Sequence, residues 1–348
     1  MYKIKNLPLR QDSAFLITDR KTRLYFLGED IEEGVLVITK NGLTAFADSR
    51  YILPARKKAT AVKAECVLYN GIQTLAHFFA ERGIKRIYVD FDKTTVSEYK
   101  AYKTLGVSVL NGNKYITLCR SIKTQEEKQK ILKACEITFK AYQKTLKHLK
   151  EGVTELQIKQ IIENYMIELG ADGFAFDTIV AFGENSAVPH HQSGNTNLKS
   201  NVPVLIDVGC EYMGYASDLT RTVFFGKPSK KFIECYSAVL NANEEAEKNI
   251  TACLNGKQAD EIARNTLKGY DLDRYFTHSL GHGVGLDIHE YPRLSPKSQD
   301  ALKEDMVFTI EPGVYLEGEF GIRIEDTVEL NGTGVKRYFT DDKKLVIL

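Results

Sequence analysis

Four acidic residues of this sequence lie at or inside apolar runs, where a charged side chain is unfavourable. Asp207 ends the run that begins VPVLI, and Asp218 directly precedes LTRTVFF. Glu311 follows VFTI, and Glu325 lies within GIRIEDTVEL. A carboxylate buried among apolar residues is costly unless it is paired or bound to a cation. Any one of the four could be a strand-end residue on a turn, but the four together indicate a site that binds cations.

A glycine-rich segment, FTHSLGHGVGLDIHEYP, holds three of the seven histidines: His278, His282 and His289. His282 lies between two glycines, so the backbone can bend closely around an ion at this point. Carboxylate oxygens together with one imidazole suit divalent ions such as Mn²⁺, Co²⁺ or Zn²⁺. Four carboxylates and one histidine are more ligands than one catalytic zinc needs, and they suit two ions about 3.5–4 Å apart.

The segments that carry the two aspartates are predicted to be paired strands. Residues 202–208 and 219–225 have the aliphatic content of buried strands, and the turn-like GCEYMGYAS between them predicts a hairpin. That hairpin would bring Asp207 and Asp218 side by side, where two like charges must share a proton or a cation. Helices are predicted further along the chain, over 230–250 and 258–268.

The first third of the chain has a different pattern, in which strands alternate with helices. Asn41-Gly42 is a strong signal for a tight hairpin turn. Thr124 with Glu127 forms a capping box that opens a long amphipathic helix. The sequence therefore predicts a small α/β domain that ends near residue 120 and a second domain that begins with this helix. The segments predicted for the first domain are strands over 13–18, 34–39, 43–47 and 85–90 and a helix over 75–81.

Length and composition limit the class of protein. A chain of 348 residues suggests about two domains, and its formal net charge is +1. No basic block indicates nucleic acid as a partner, and no apolar run approaches the about 20 residues of a membrane span. The N-terminal segment lacks the apolar core of a signal peptide, and the six cysteines form no CxxC pair. We therefore expect a cytoplasmic protein with reduced thiols and no membrane or nucleic-acid partner.

Five residues, in this order and spacing, resemble the ligand set of the pita-bread dinuclear metallopeptidases: Asp207, Asp218, His282, Glu311 and Glu325. The flanking strings DVGCEYMGYASDLTRT, HSLGHGVGLDIHE, FTIEPGVY and GIRIEDT fit that family too. The branch that cleaves Xaa-Pro bonds, which includes aminopeptidase P and prolidase, carries an additional N-terminal domain. NGLTAFADSRY resembles the hairpin of that domain, and RSIKTQEE resembles the start of the catalytic domain.

The resemblance implies a fold and a subunit arrangement. Residues 1–121 would form the α/β N-terminal domain of the creatinase/prolidase type. Residues 122–348 would form an α+β pita-bread catalytic domain, in which a curved antiparallel sheet is covered by helices. Dimers are usual in this family, so a homodimer is also expected.

The resemblance also implies how two ions would be held, with Mn²⁺ expected ahead of Co²⁺ or Zn²⁺. Asp207 would chelate one ion, Asp218 and Glu325 would bridge, and His282 with Glu311 would hold the other. Four carboxylates roughly neutralise two divalent ions and leave a bridging hydroxide active near neutral pH. Glu311 would in addition shuttle a proton.

Further residues are assigned to the site by the same resemblance. His190, which follows Pro189 in AVPHHQSGN, would steady the scissile carbonyl or its oxyanion, and its neighbour His191 would be a loop bystander. His289 would hydrogen-bond the substrate and the tetrahedral intermediate, although a lone histidine could equally be a satisfied core residue. His278 would line the substrate groove or have only a structural role.

Two residues of the C-terminal part complete the predicted site. Tyr315 resembles a site tyrosine of the family. Arg323 lies two residues before Glu325, on the same face of one strand, where it would hold a metal carboxylate in place. The alternative for Arg323 is a surface arginine on an edge strand.

The implied activity is hydrolysis of the bond between an N-terminal residue and proline in short peptides, as in aminopeptidase P. Proline makes this bond a tertiary amide without an N–H, which explains the need for a dedicated enzyme. Prolidase, which needs a free carboxylate after proline, is the first alternative, and the sequence shows no clear arginine for that carboxylate. Methionine aminopeptidase follows, and then a metal-free, non-hydrolytic binding relative.

Overall fold

The computed structural model describes residue 4 and residues 7–348, and the chain divides into two compact units, residues 1–120 and 121–348. In the described part of the chain, no helix has the length and apolar character needed to cross a membrane.

A six-stranded sheet forms the centre of the first unit. Its order is β4-β3-β2-β1-β5-β6, and β2 is the strand that runs antiparallel to its neighbours. The strands are β1 Ser13–Ile17, β2 Val35–Thr39, β3 Gly42–Ala47, β4 Glu65–Leu68, β5 Arg86–Val89 and β6 Ser108–Asn111. The helices are α1 Arg20–Leu27, α2 Ile52–Ala61, α3 Ile72–Glu81, α4 Val96–Lys103 and α5 Asn113–Ser121.

The local signals read from the sequence explain most of this unit. Thr39 pairs with Gly42, so the tight turn predicted at Asn41-Gly42 is confirmed. All five residues of β1 are buried, and aliphatic and aromatic residues such as Phe46, Phe79 and Ile87 pack into one core. The α/β prediction for this part of the chain is therefore confirmed.

Four helices of the second unit begin at side-chain caps that satisfy otherwise unpaired backbone N–H groups. The capping box of Thr124 and Glu127 is confirmed. Helix α9 begins two residues earlier than predicted, because Asn255 caps it through the N–H of Gln258. The helices are α6 Gln125–Leu146, α7 Glu155–Glu168, α8 Lys230–Asn249 and α9 Gly256–Lys268.

An eight-stranded, wholly antiparallel sheet forms the rest of this unit, as predicted for an α+β domain. Its order is β14-β13-β15-β18-β12-β9-β8, with β19 paired to β18. Its strands are β8 Ile179–Phe182, β9 Val202–Val208, β12 Leu219–Phe225, β13 Gly281–Gly283, β14 Glu290–Leu294, β15 Val307–Ile310, β18 Glu325–Asn331 and β19 Gly334–Arg337. Smaller sheets are formed by β7 Gly173–Phe174, β10 Cys210–Tyr212 and β11 Tyr215–Ala216, and by β16 Gly313–Leu316 and β17 Phe320–Arg323.

Two details differ from the sequence prediction. Strands β9 and β12 pair as expected, but the segment between them is not a simple turn, because β10 and β11 form a hairpin of their own. The predicted single strand GIRIEDTVEL is divided at Ile324. Up to Arg323 the chain pairs with β16, and from Glu325 it joins the large sheet.

The core of this unit lies where α8 and α9 pack on the large sheet. Phe232 and Val239 of α8 and Ala263 of α9 contact the same cluster as Phe308 and Val328 from the strands. Burying each large side chain of this kind contributes about 1.5–3 kcal/mol. This core supports the strands that carry the acidic residues.

Candidate active site

Five neighbouring strands bring the five predicted ligands to one cavity. His282 lies in β13, Glu311 directly follows β15, and Glu325 begins β18. Asp218 directly precedes β12, and Asp207 lies in β9. The cavity has a volume of about 500 Å³, and other predicted site residues also line it: His190, His278, His289 and Arg323.

The pairing of three adjacent strands explains how three of the carboxylates meet. Asp207 lies opposite Thr220 on one side, and Glu325 lies opposite Thr220 on the other. Residues that pair directly across strands project from the same face of a sheet. Asp218 precedes Thr220 by two residues, so its side chain projects from that face as well. Thr220 donates to Glu325 Oε2 at 2.5 Å and thereby holds this carboxylate in place.

The ligand atoms of the cluster lie close enough to share cations. His282 Nε2 is 3.6 Å from Asp218 Oδ2 and 3.4 Å from Glu311 Oε1. One ligand atom each of Asp218, His282 and Glu325 lies within 4.8 Å of the others. Thr309 donates to Glu311 Oε1 at 3.2 Å.

Burial and mutual repulsion disfavour the ionised form of the carboxylates in this cluster when no cation is bound. Burial, and then the charges of Glu325 and Asp207, raise the pKa of Asp218 well above its ordinary value. Burial raises the pKa of Glu311 to about 8, and burial together with Glu311 raises the pKa of Glu325 well above its ordinary value. Nearby cations reverse this balance, because they favour the ionised carboxylate.

The donor set fits divalent cations. Asp207 Oδ1 is buried and has no hydrogen-bond partner among the described residues. Burial lowers the pKa of His282 to about 3, so the imidazole is neutral, as a metal ligand must be. Its Nδ1 lies 3.2 Å from the carbonyl oxygen of Gly283, an arrangement that leaves Nε2 to face the carboxylates. A buried carboxylate oxygen without a hydrogen-bond partner, on Asp207, and an imidazole held in one orientation, on His282, are the features expected of a metal site.

Arg323 is a buried arginine that holds one carboxylate of the cluster, and its side chain is only 4% exposed. It donates to Asp207 Oδ2 at 2.5 Å, to Thr220 Oγ1 at 3.0 Å and to the Tyr315 hydroxyl at 2.7 Å. Burial disfavours its charge, but Tyr315 and Asp207 raise the pKa of Arg323 above its ordinary value. The alternative of a surface arginine does not describe this position.

His278 and Tyr315 form a hydrogen-bonded pair beside the cluster. His278 Nε2 is 2.8 Å from the Tyr315 hydroxyl, and Nδ1 is 2.9 Å from the carbonyl oxygen of Ser279. Burial lowers the pKa of His278 to about 3. Both ring nitrogens are therefore engaged by the protein, which favours a supporting role for His278 over direct substrate contact.

His190 and His289 line the same cavity from different segments. The ring of His289 packs edge-on against that of His282, with 4.3 Å between centroids. Burial, and then the proximity of His190, lower the pKa of His289. Both imidazoles therefore border the same cavity as the five predicted ligands.

Two residues near the site, Thr220 and Glu155, were not identified from the sequence, and a third, His191, has a contact that the sequence did not predict. The position of Thr220, two residues after Asp218 on the same strand face, was a signal that could have identified it. His191, expected to be a bystander, lines the cavity and contacts Glu155 Oε2 at 2.9 Å. Glu155 has no local signal, since an acidic residue at the start of a helix is ordinary.

Comparison with known proteins identifies the family of each part of the chain. Residues 129–331 match Metallopeptidase family M24, and residues 5–122 match the Creatinase/Prolidase N-terminal domain. An Xaa-Pro dipeptidase of Pyrococcus furiosus is 43% identical over 227 residues, which are 65% of this chain and 65% of that protein. The match to this relative thus spans slightly less than two thirds of its length.

Two solved structures are similar over the whole chain. One is an Xaa-Pro dipeptidase from Bacillus anthracis, with a TM-score of 0.96 and 34% identity over 100% of this chain and 99% of that one. The other is an X-Pro aminopeptidase from Thermotoga maritima, with a TM-score of 0.93 and 32% identity over 100% of both chains. The chain therefore belongs to metallopeptidase family M24. It combines the catalytic domain of that family with a creatinase/prolidase-type N-terminal domain.

Proposed function

We propose that this protein is a metal-dependent Xaa-Pro dipeptidase, which hydrolyses the bond between a first residue and a C-terminal proline. The observation that carries the proposal is the cavity with five metal-type ligands in a chain whose full-length structural match includes an Xaa-Pro dipeptidase. The sequence favoured aminopeptidase P, whereas the similar proteins from Pyrococcus furiosus and Bacillus anthracis favour prolidase, its first alternative. Aminopeptidase P remains the second candidate because of the match to the Thermotoga maritima enzyme.

The proposed metal ligands all line the cavity: Asp207, Asp218, His282, Glu311 and Glu325. Their oxygen-rich composition suits Mn²⁺, with Co²⁺ or Zn²⁺ as alternatives. Bound divalent cations would activate water for attack and polarise the scissile carbonyl. By resemblance to the family, Asp207 would hold one ion, His282 and Glu311 would hold the other, and Asp218 and Glu325 would contribute to both.

The protein's own groups would move the proton and stabilise developing charge. Glu311 would accept the proton of the attacking water and pass it to the proline nitrogen, which must be protonated to leave. His190 and His289 would donate hydrogen bonds to the substrate and to the oxyanion. One such donor is worth about 2.7–4 kcal/mol of barrier. Arg323 would hold Asp207 in its ligand orientation.

A dipeptidase needs a donor for the free carboxylate of its substrate. Four of the five N–H groups of Arg323 are engaged by Asp207, Thr220, Tyr315 and the carbonyl oxygen of Pro189. His190 and His289, which line the cavity, would therefore supply the donors for this carboxylate. Binding of the proline carboxylate would favour dipeptides, because a longer peptide has no free carboxylate at that position.

The test is a peptide panel with purified protein and Mn²⁺: Ala-Pro, Ala-Pro-Ala and Met-Ala-Ser. We expect cleavage of Ala-Pro and none of Ala-Pro-Ala. Release of Ala from Ala-Pro-Ala would instead identify aminopeptidase P. Cleavage of Met-Ala-Ser alone would overturn both proposals.

Two further statements are proposed with this function. Residues 1–121 and 122–348 would be the N-terminal and catalytic domains, and the protein would act as a homodimer. Sedimentation equilibrium of the full chain tests the second statement, and a single species with the mass of one chain would contradict it.

A further inference from the structure

A buried carboxylate outside the metal cluster holds the loop that carries His190. Glu155 is the first residue of α7, and its side chain is fully inaccessible to solvent. The loop runs from Gly183 to Ser193, between β8 and the segment that leads to β9. Residues 189–192 of this loop line the catalytic cavity.

Each oxygen of Glu155 accepts two hydrogen bonds from this loop or from its ends. Oε1 accepts from the backbone N–H of Phe182 and from the side-chain amide of Asn185, both at 2.8 Å. Oε2 lies 2.9 Å from His191 Nε2 and accepts from the backbone N–H of Gly194 at 3.1 Å. One carboxylate thus fixes the beginning, the middle and the end of the loop.

Stability of the helix alone does not account for this carboxylate. Helix α7 already has a capping box, formed by Thr154 and Gln157, and does not need Glu155 for that purpose. A carboxylate without solvent contact carries a large desolvation cost, which only directed hydrogen bonds and the favourable field of the helix N-terminus offset. An apolar side chain would fill the same space without that cost. The four directed bonds to the loop and its ends therefore indicate why a carboxylate stands at this position.

We propose that Glu155 is a positioning residue of the catalytic site, which sets the conformation of the loop so that His190 faces the substrate. This inference rests on the proposed peptidase function for its kinetic consequence. Glu155 does not touch the metal ligands, so it acts on substrate contact and not on metal binding. His191 takes part as the loop residue whose ring orientation Glu155 fixes directly.

The first variant is Glu155→Gln, which preserves size and removes the charge. An amide has one acceptor oxygen, so it cannot accept from four donors, and its NH₂ group faces two of them. We expect KM for Ala-Pro to rise and kcat/KM to fall by about 10- to 100-fold. Bound metal per chain, measured by elemental analysis, should stay at the wild-type value.

The matched control is Glu168→Gln, at the exposed end of the same helix, which should leave KM and kcat unchanged. A merely structural role for Glu155 would lower the folded fraction but leave KM of the metal-loaded chains at the wild-type value. An E155Q variant with wild-type KM therefore overturns the proposal. If E155Q does not fold, Glu155→Asp replaces it, because its shorter side chain keeps the charge but cannot reach both ends of the loop.

A second readout does not depend on activity. Hydrogen–deuterium exchange of the peptides covering 182–194 should be faster in E155Q than in wild type, with α8 unchanged as an internal reference. If this loop exchanges at the same rate in E155Q as in wild type, the inference is wrong, and this holds for any substrate of the enzyme. If wild type cleaves no peptide of the panel, the proposed function fails, and the exchange measurement still decides whether Glu155 holds the loop.

Discussion

At the scale of single residues, the site depends on charged side chains that are largely buried. Asp218 and Glu325 are nearly fully buried among other carboxylates. Arg323 forms an ion pair with Asp207 at one side of the cluster. Glu155 accepts hydrogen bonds from N–H groups. Each of these charges is unfavourable in isolation, so each is informative about what it must bind.

Replacing Asp218 by Asn should abolish turnover without harming the metal-free fold. The change removes one of several charges that repel each other and one oxygen ligand. We expect the metal-free Tm to be equal to that of wild type or higher. Wild type should gain about 2.7 kcal/mol for each Mn²⁺ site filled at 100 times its Kd, and the variant should gain much less. Calorimetry with and without Mn²⁺ measures both effects, and retained turnover would contradict the role in metal binding.

Replacing Arg323 by Lys should lower both activity and metal affinity although the charge is kept. A lysine offers a compact ammonium in place of the planar fork that contacts Asp207, Thr220 and Tyr315. We expect kcat/KM to fall by about 10- to 100-fold. Arg274→Lys, at an exposed position, is the control and should behave as wild type. Equal kinetics of the two variants would exclude a positioning role for Arg323.

At the scale of elements, the glycines around His282 are required by strand packing. The sequence suggested that they let the backbone bend around an ion. In the structure, a Cβ atom on Gly281 would lie 2.0 Å from the carbonyl oxygen of Thr309, and one on Gly283 would lie 2.2 Å from that of Tyr291. Strand β13 therefore approaches its two neighbours too closely for any side chain at these positions, and this approach places His282.

Gly281→Ala should consequently push β13 away from β15 and displace His282. We expect a loss of about 1–3 kcal/mol in the free energy of unfolding, as for other overpacked sites, together with weaker metal binding. Urea denaturation and a metal titration measure these quantities. The control is Gly173→Ala, where an added Cβ meets no atom within 4 Å. If G281A kept wild-type stability, the strand-packing explanation would be wrong.

At the scale of the whole molecule, the thiols are distributed as expected for a protein without disulfides. All six cysteines are free, and Cys253 is the exposed one. Burial raises the pKa of Cys119 to about 11 and that of Cys135 well above its ordinary value, so these thiols are poor nucleophiles. Burial also raises the pKa of the half-buried Cys66.

Native protein treated with a thiol reagent at pH 8 should therefore show one fast-reacting group. Cys253→Ser should remove the fast phase, and Cys119→Ser should leave it intact. Denaturant should expose all six thiols. A fast phase that survives in C253S would show that a second thiol is accessible in the folded protein.

The sequence predicted the parts of the fold that depend on near neighbours. The capping box at Thr124, the turn at Asn41-Gly42 and the strands around Asp207 are set by residues a few positions apart. The division of GIRIEDTVEL at Ile324 was missed, because it depends on which partner strand each half meets. Periodicity alone does not contain that information.

By itself, the sequence determined which residue types are present for metal chemistry and which local elements carry them. Only the tertiary structure decided that Thr220 lies between Asp207 and Glu325, that Arg323 is buried against Asp207, and that Glu155 holds the loop of His190. These contacts join residues far apart along the chain, and they form only after strand pairing has closed the loops between them. Pairing between strands that are distant along the chain is selected by the packing of the whole domain, and a local pattern does not specify it.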